Sequence, residues 1–90
     1  MSTKTNLEEF TEYLQEQFKD TGMAPHVTIL KGTTDLLLEV YRRSPKWGVL
    51  MKGSMYISYA IIDNKQGREW VVEYLKGEIE KAEELGPPAN

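Results

Sequence analysis

The hydrophobic period changes twice along this chain, and these changes constrain the fold more than any other feature of the sequence. Over residues 7–18, apolar side chains recur at intervals of three and four, as on one face of an amphipathic helix. Over residues 35–41, they alternate with polar side chains, which is typical of a half-buried strand. Over residues 70–85, the helical period returns. The sequence therefore predicts an α+β fold with a helix at each end and strands between.

Both helices have recognisable start or stop signals. The first is predicted over residues 6–20, because Gly22 can adopt the left-handed conformation that ends a helix. Its first turn can be capped by Asn6 or, one residue earlier, by Thr5. The second helix is predicted over residues 68–85, and the prolines that follow it prevent its continuation.

Residues 26–62 are predicted to form an antiparallel sheet of three to four strands. The strands are expected over residues 26–30, 35–41, 47–51 and 55–62. A tight connection is predicted at Lys52–Gly53, and short links of this kind favour a meander of consecutive strands. The strand over residues 47–51 is the weakest of the four, so an order with three strands is the alternative.

Each helix has one apolar stripe and the sheet needs cover, so both helices are expected on one face of the sheet. The element order is then α-β-β-β-β-α, in a single domain of residues 1–90 that ends in a short tail over residues 86–90. The chain has no cysteine, and no apolar run approaches membrane-spanning length. These features predict a cytoplasmic protein without a membrane partner, since small secreted domains usually carry disulfides.

No residue pattern in the sequence predicts catalysis. The only histidine, His26, has no local signature of a nucleophile or base around it. Most carboxylates fall opposite the apolar helical stripes, where they form a solvated face. No pair of histidine or acidic residues has a recognised metal-ligand spacing, and no glycine-rich phosphate loop precedes a helix. The sequence therefore predicts a non-enzyme with no catalytic residue, metal site or cofactor.

The charges are unevenly distributed along the chain. The formal charge is −3 over residues 1–25, +4 over residues 26–68 and −4 over residues 69–90. Glutamate favours helices, which accounts for part of this difference. Glu83 and Glu84, however, lie where the helix macrodipole disfavours acid, which indicates a role in binding a partner. The predicted acidic helical face consists of Glu69, Glu73, Glu80, Glu83 and Glu84.

Glu78 falls near the middle of the apolar stripe of the second helix. One interpretation is a buried carboxylate with a raised pKa. The other, which we favour, is that the helix extends past the sheet there, so that Glu78 meets solvent or a neighbouring subunit.

Two helices on one face would leave the other face of the sheet open. Strand alternation sends tyrosine, leucine and arginine side chains to that face. Aromatic residues and arginine are enriched at protein interfaces, although tyrosine also suits exposed strands. The direction of the strand over residues 47–51 stays open, since either Leu50 or the set Trp47, Val49 and Met51 can point outward. The predicted partner-binding residues are Leu37, Glu39, Tyr41, Arg43, Trp47, Tyr56 and Ser58.

We therefore expect a protein-binding module, such as a small inhibitor or adaptor that docks on a macromolecular partner. The partner is another protein or a second copy of the chain, joined as a homodimer through the open sheet face. Nucleic-acid binding is the second hypothesis, with Tyr41 and Tyr56 stacking on bases. In that case the phosphates would be met by Arg42, Arg43, Lys46 and Lys52. A small-molecule or enzymatic role is the third.

With three strands, the element order resembles that of double-stranded-RNA-binding domains. The resemblance is one of topology, because the basic, glycine-rich approach to the last helix in those domains is absent here. The last helix of this chain is acidic instead.

Overall fold

The computed structural model describes residues 5–86 of the chain. Its elements are helix α1 (Asn6–Gln17), strands β1 (Ala24–Ile29), β2 (Asp35–Arg43) and β3 (Leu50–Ser58), a 3₁₀ helix (Tyr59–Asp63) and helix α2 (Lys65–Leu85). The predicted α+β class is confirmed, but the predicted order with four strands is wrong, because residues 5–86 form three. Apart from Gly86, the tail predicted over residues 86–90 lies outside the described residues.

The three strands form an antiparallel sheet in the order β1-β2-β3. In the central strand, Leu38 lies opposite Val27 of β1 and Met55 of β3. Every second residue of β2 and β3 is buried, which defines the inner face as Leu36, Leu38, Val40, Met51, Gly53, Met55 and Ile57. The first strand begins two residues earlier than predicted, at Ala24, because its ladder with β2 continues through Pro25.

A single strand, β3, replaces the predicted strand over residues 47–51 and the predicted turn at Lys52–Gly53. Exposed and buried residues alternate along β3 without interruption as far as Ile57. Gly53 lies inside the strand because α2 passes directly over it: a Cβ atom there would lie 2.9 Å from Cβ of Glu78. The glycine that predicted a turn therefore marks a close contact between helix and strand.

The chain reverses between β2 and β3 through a loop over residues 44–49. Ser44 is buried; its amide donates to the carbonyl of Val49 at 2.8 Å, and its hydroxyl accepts from the amide of Trp47 at 3.0 Å. Gly48 has a φ of 70°, which favours glycine. Trp47 therefore lies in a loop and not in a strand.

The third strand ends earlier than the strand predicted over residues 55–62. Because β2 begins opposite Ser58, the residues that follow Ser58 have no strand to pair with. Tyr59 donates one last amide hydrogen bond to the carbonyl of Thr34 at 3.1 Å. The chain then forms the 3₁₀ helix, which contributes the fully buried Ile62 to the core.

The first helix is shorter than predicted at its C-terminal end. Thr5 caps it, since the Thr5 hydroxyl accepts from the amide of Glu8 at 3.1 Å. The helix ends at Gln17 rather than residue 20, because Asp20 adopts a positive φ of 63° and the chain turns towards β1 there.

The second helix begins three residues earlier than the predicted range of 68–85. The side chain of Asn64 accepts from the amide of Gly67 at 2.6 Å and so caps a helix that starts at Lys65. The segment predicted as a polar turn therefore supplies the first turn of α2.

The core lies between the inner face of the sheet and the two helices. Besides the inner-face residues of β2 and β3, the buried cluster contains Phe10, Leu14, Phe18, Ile62, Val71, Val72, Leu75 and Ile79. The second helix lies over β3 and β2, whereas α1 contacts β1, the 3₁₀ helix and α2.

Candidate protein-interaction surface

The outer face of the sheet is the face that points away from this core. Its side chains belong to alternate residues of each strand, in the register set by β2. They are Ala24, His26, Thr28, Asp35, Leu37, Glu39, Tyr41, Arg43, Leu50, Lys52, Ser54, Tyr56 and Ser58. All the predicted partner-binding residues except Trp47 are in this set.

Apolar side chains lie near both ends of the outer face. At one end, Thr28, Leu37 and Tyr56 lie opposite one another in the three strands. Tyr56 is 68% exposed, and Leu50, at the other end of β3, is 60% exposed. Met51 is buried, so Leu50 is the residue that points outward in this part of the chain. Apolar side chains grouped on an open face are typical of interaction sites.

The carboxylate of Glu39 organises the centre of the outer face. The hydroxyl of Tyr41 donates to Oε2 of Glu39 at 2.7 Å, and Nζ of Lys52 lies 3.7 Å from the same oxygen. The ring of His26 meets the ring of Tyr41 edge-on, with 5.4 Å between centroids. These contacts order the side chains before binding, which lowers the entropy cost of docking.

The hydrogen bond to Glu39 also raises the pKa of Tyr41 above its usual value of 10.0. The bond is the largest cause, because ionised Tyr41 can no longer donate it. Loss of solvation and the negative charge of Glu39 act in the same direction.

The charges on the outer face are balanced. Its two cations, Lys52 and Arg43, are matched by two carboxylates, Asp35 and Glu39. The positive charge of the middle segment is therefore not concentrated on this face, although the sequence suggested a basic sheet side.

Arg42 and Trp47 bind the C-terminal end of α2 instead of facing outward. A guanidinium nitrogen of Arg42 lies 3.1 Å from Oε1 of Glu83. The indole N–H of Trp47 donates to the carbonyl of Glu83 at 2.8 Å, and the indole ring packs against Gly86. Trp47 is thus separated from the other predicted partner-binding residues, and Glu83 makes its contacts within the chain.

The predicted acidic residues of α2 extend along one side of the helix. In its first half, Glu69 and Glu73 line a groove with Tyr13 of α1. Burial raises the pKa of Tyr13, and the Glu69 carboxylate adds to the shift. In the second half, the groove beside Arg42 and Lys46 is lined by Glu80, Glu83 and Glu84.

The predicted partner-binding set lacks five polar residues of the outer face, which are His26, Thr28, Asp35, Lys52 and Ser54. Lys52 and Ser54 were missed because Lys52–Gly53 resembles a turn, although the alternation on both sides of Gly53 was an available signal. His26 is there because it lies opposite Glu39 in β2, a pairing that only the strand register reveals.

Two kinds of site are absent from the part of the chain that the structure describes. Among residues 5–86, no three histidine or acidic side chains come together as a metal site would require. In the same range, neither helix is both long and apolar enough to cross a membrane.

Comparison with known proteins gives no guide to function, since no protein-family model, curated protein or solved structure matches this chain. The geometry of the outer face is therefore the basis for a functional assignment.

Proposed function

We propose that this protein is a non-enzymatic protein-binding module that docks on a macromolecular partner through the outer face of its sheet. Its strongest support is the exposure of Tyr56 and Leu50 beside a polar cluster that is already ordered around Glu39. Aromatic and apolar anchors with adjacent, satisfied polar groups are the usual composition of a protein interface. A small inhibitor or adaptor works in this way, by occupying a surface of its target.

The balance of charge favours a protein partner over a nucleic acid. A nucleic-acid surface needs an excess of cations to displace counterions from phosphates. Lys52 and Arg43 are offset here by Asp35 and Glu39. We expect no binding to single- or double-stranded DNA or RNA at low salt, measured by fluorescence anisotropy. Binding that weakens steeply as salt is added would support the nucleic-acid alternative instead.

Co-purification with a matched pair of variants tests the proposal. The outer-face variant, Tyr41→Ala/Tyr56→Ala, removes two aromatic rings from the sheet. The control, Ile29→Ala, removes an apolar side chain that is 56% exposed and lies on neither the outer face nor α2. A partner of the outer face should be recovered by the wild type and the control, and at least about tenfold less by the outer-face variant, since interface anchors are worth about 2 kcal/mol or more. Equal recovery by the outer-face variant would refute docking through this face.

A second copy of the chain is a further candidate for the partner. Light scattering of the wild type and of Tyr41→Ala/Tyr56→Ala distinguishes self-association through the outer face from binding to a different protein. A dimer that the substitutions dissociate assigns the outer face to self-association, whereas a monomer leaves it to another protein.

A further inference from the structure

We infer that the free edge of β3 binds an extended peptide segment of a partner protein as a fourth strand. The site is an edge groove, with the backbone of β3 on one side and one stripe of α2 on the other. The groove itself is lined by Lys52, Glu78, Lys81, Ala82 and Leu85. The proposed site adds the edge backbone of β3 at Ser54 and Tyr56, and Trp70 and Tyr74 farther along the same side of α2. This inference concerns the strand edge and does not depend on the outer face as a docking surface.

The register shows which backbone groups of β3 are unpaired. Just outside the two strands, the amide of Ser44 donates to Val49, and that of Tyr59 donates to Thr34. Hydrogen-bonded pairs alternate in an antiparallel ladder, so the odd-numbered residues of β3 bond to β2. The amides and carbonyls of the even-numbered residues, with Ser54 at their centre, point to the free edge. Such a row of unpaired groups is a template for another strand.

The opposite edge of the sheet is less suited to pairing. The amide of Leu30 donates to the carbonyl of Asp35, so the backbone amides and carbonyls of the odd-numbered residues of β1 point to the free edge of that strand. One of them is Pro25, which has no amide hydrogen to donate. The first strand also has six residues against the nine of β3, and β3 contains no proline. Among residues 5–86, the edge at β1 is thus less able to pair, and no strand pairs with the edge at β3.

One stripe of α2 carries exposed apolar side chains that no other element within residues 5–86 covers. Trp70, Tyr74 and Leu85 are 50%, 42% and 76% exposed, and they recur on one side of the helix together with Glu78 and Lys81. That side points away from α1, because the opposite side shares a groove with Tyr13. Close to β3, the C-terminal part of the stripe, at Glu78, Lys81 and Leu85, lines a groove together with Lys52 and Ala82.

The widths of the two layers explain why the stripe is uncovered. Two packed helices span about 20 Å, since each is about 10 Å across. Three strands span only about 14 Å, and four span about 19 Å. Because α2 already lies over β3 at Gly53, the side of the helix beyond β3 has no strand beneath it in the part of the chain that the structure describes. One additional strand would give the helix layer a sheet of matching width.

The same widths favour a peptide over a second copy of the chain. Two copies paired edge to edge would place four helices, about 40 Å wide, over six strands, about 29 Å wide. The two α2 helices would then compete for the same space. A segment that brings no helix of its own avoids this crowding.

The groove also indicates the chemistry of the peptide. Alternate side chains of the added strand would face the apolar stripe at Tyr74 and Leu85, so they are expected to be apolar. Lys52 on β3 and Lys81 on α2 flank the groove, while the carboxylate of Glu78 lies 3.5 Å from the Tyr74 hydroxyl. Glu39 already pairs with Lys52, and Glu78 offsets Lys81, so the groove has no excess of positive charge. The expected ligand is an extended, proline-free segment with alternating apolar residues.

Selection from a display library of random peptides, each at least as long as the nine-residue β3, provides the probe. The selected peptide is then synthesised and its affinity measured for the full-length wild type, Ser54→Pro and Ser54→Ala. Ser54→Pro removes an amide that points to the free edge and should weaken binding at least about tenfold, equivalent to about 1.4 kcal/mol. Ser54→Ala keeps the amide and should bind within about twofold of the wild type. Circular dichroism checks that each variant is folded.

Tyr74→Ala provides a test that leaves the strand backbone intact, and it decides the matter if Ser54→Pro does not fold. We expect it to weaken peptide binding several-fold, because the ring would cover the inner side chains of the added strand. The inference would be overturned if no peptide were selected, or if the selected peptides lacked alternating apolar residues. Equal affinity of a selected peptide for the wild type, Ser54→Pro and Tyr74→Ala would overturn it as well. Loss of binding in Tyr41→Ala/Tyr56→Ala alone would also overturn it, and would assign the peptide to the outer face.

Amide hydrogen exchange provides a readout at the edge itself. In the free protein, the amides of Lys52, Ser54 and Tyr56 should exchange quickly, whereas those of Gly53 and Met55 are protected by β2. Bound peptide should slow the exchange of the Lys52, Ser54 and Tyr56 amides and leave the exchange of the Gly53 and Met55 amides unchanged. No change in the first set would contradict strand addition. If the Lys52, Ser54 and Tyr56 amides were protected from exchange without peptide, and sedimentation showed a dimer, the edge would be assigned to a second copy of the chain.

Discussion

Glu39 shows how a single residue can order the outer face. Its carboxylate accepts from Tyr41 and lies close to Lys52, so three side chains from two strands are held together. The carboxylate is partly screened from water by these neighbours and still has a partner on each side. Deleting it would leave Tyr41 and Lys52 without the group that positions them.

The raised pKa of Tyr41 makes this contact measurable. We expect Glu39→Gln to return the pKa of Tyr41 towards 10.0, because the main cause of the shift is the hydrogen bond to Glu39. Since the folded-state pKa is raised, the contact contributes stability below about pH 10 and loses that contribution as the pH rises through the folded-state value. Titration of tyrosine absorbance, with Tyr41→Phe to identify the signal, measures the shift. If the pKa of Tyr41 stayed raised in Glu39→Gln, a group other than Glu39 would be the cause of the shift.

Gly53 and Gly77 form a matched pair that tests the contact between helix and strand. A methyl group on Gly53 would meet Cβ of Glu78 at 2.9 Å and the carbonyl oxygen of Leu75 at 3.3 Å. Gly53→Ala should therefore lower the free energy of unfolding by about 1–3 kcal/mol. Gly77 has open space around it, so Gly77→Ala should raise the free energy of unfolding by up to about 1 kcal/mol. Urea unfolding measures both, and a stable Gly53→Ala variant would show that α2 does not pass so close to β3.

Among the elements, α2 packs on the core through Val71, Val72, Leu75 and Ile79, and polar contacts hold its C-terminal end in addition. The loop between β2 and β3 provides Trp47, and the end of β2 provides Arg42, both directed at Glu83. These contacts position the part of α2 that forms the edge groove. The loop thereby contributes to the interaction surfaces without lying on the outer face.

The two tryptophans allow the contact between this loop and α2 to be tested separately. Trp47→Phe keeps a ring beside Gly86 but loses the indole hydrogen bond to Glu83, so we expect a loss of about 0.5–1.5 kcal/mol in the free energy of unfolding. Trp70 is exposed, and Trp70→Phe should change stability by less than about 0.5 kcal/mol. If chemical denaturation gave Trp47→Phe the same stability as Trp70→Phe, the hydrogen bond from Trp47 to Glu83 would not help to hold α2.

The sequence was sufficient for elements with a sustained period and insufficient where tertiary contacts decide the conformation. Both helices and β2 were predicted because their apolar residues recur regularly. The middle of β3 was missed because Gly53 resembles a turn residue, whereas its role depends on a helix that lies far away in the chain. The observed helix ends differ from the predicted ones because caps such as Asn64 act through a single side-chain hydrogen bond.

The candidate site was predictable to a similar extent. Alternation alone predicted that Leu37, Tyr41 and Tyr56 share a face, and the structure brings them together. Trp47 does not join them, because the loop geometry and a hydrogen bond to α2 determine its position. The balance of charge on the face was also hidden, since it depends on which cations are paired elsewhere.

For the molecule as a whole, a three-stranded sheet under two helices leaves two surfaces available. The outer face presents exposed side chains, and the edge groove presents unpaired backbone beside an apolar helix stripe. The surfaces adjoin along β3, since Lys52 and Tyr56 have side chains on one and backbone groups on the other. A protein partner can therefore contact both, but each can be disabled without the other.

The most direct test of docking through the outer face is hydroxyl-radical footprinting of the protein, free and in complex with the partner recovered by co-purification. Docking predicts that oxidation of Tyr56, 68% exposed in the free protein, falls on binding, together with that of Tyr41 and Leu37. Tyr13 lies in the groove between α1 and α2, on neither proposed surface, and should be oxidised equally in both states. Unchanged oxidation of Tyr56 in a complex that protects other residues would contradict the assignment of the outer face as the docking surface.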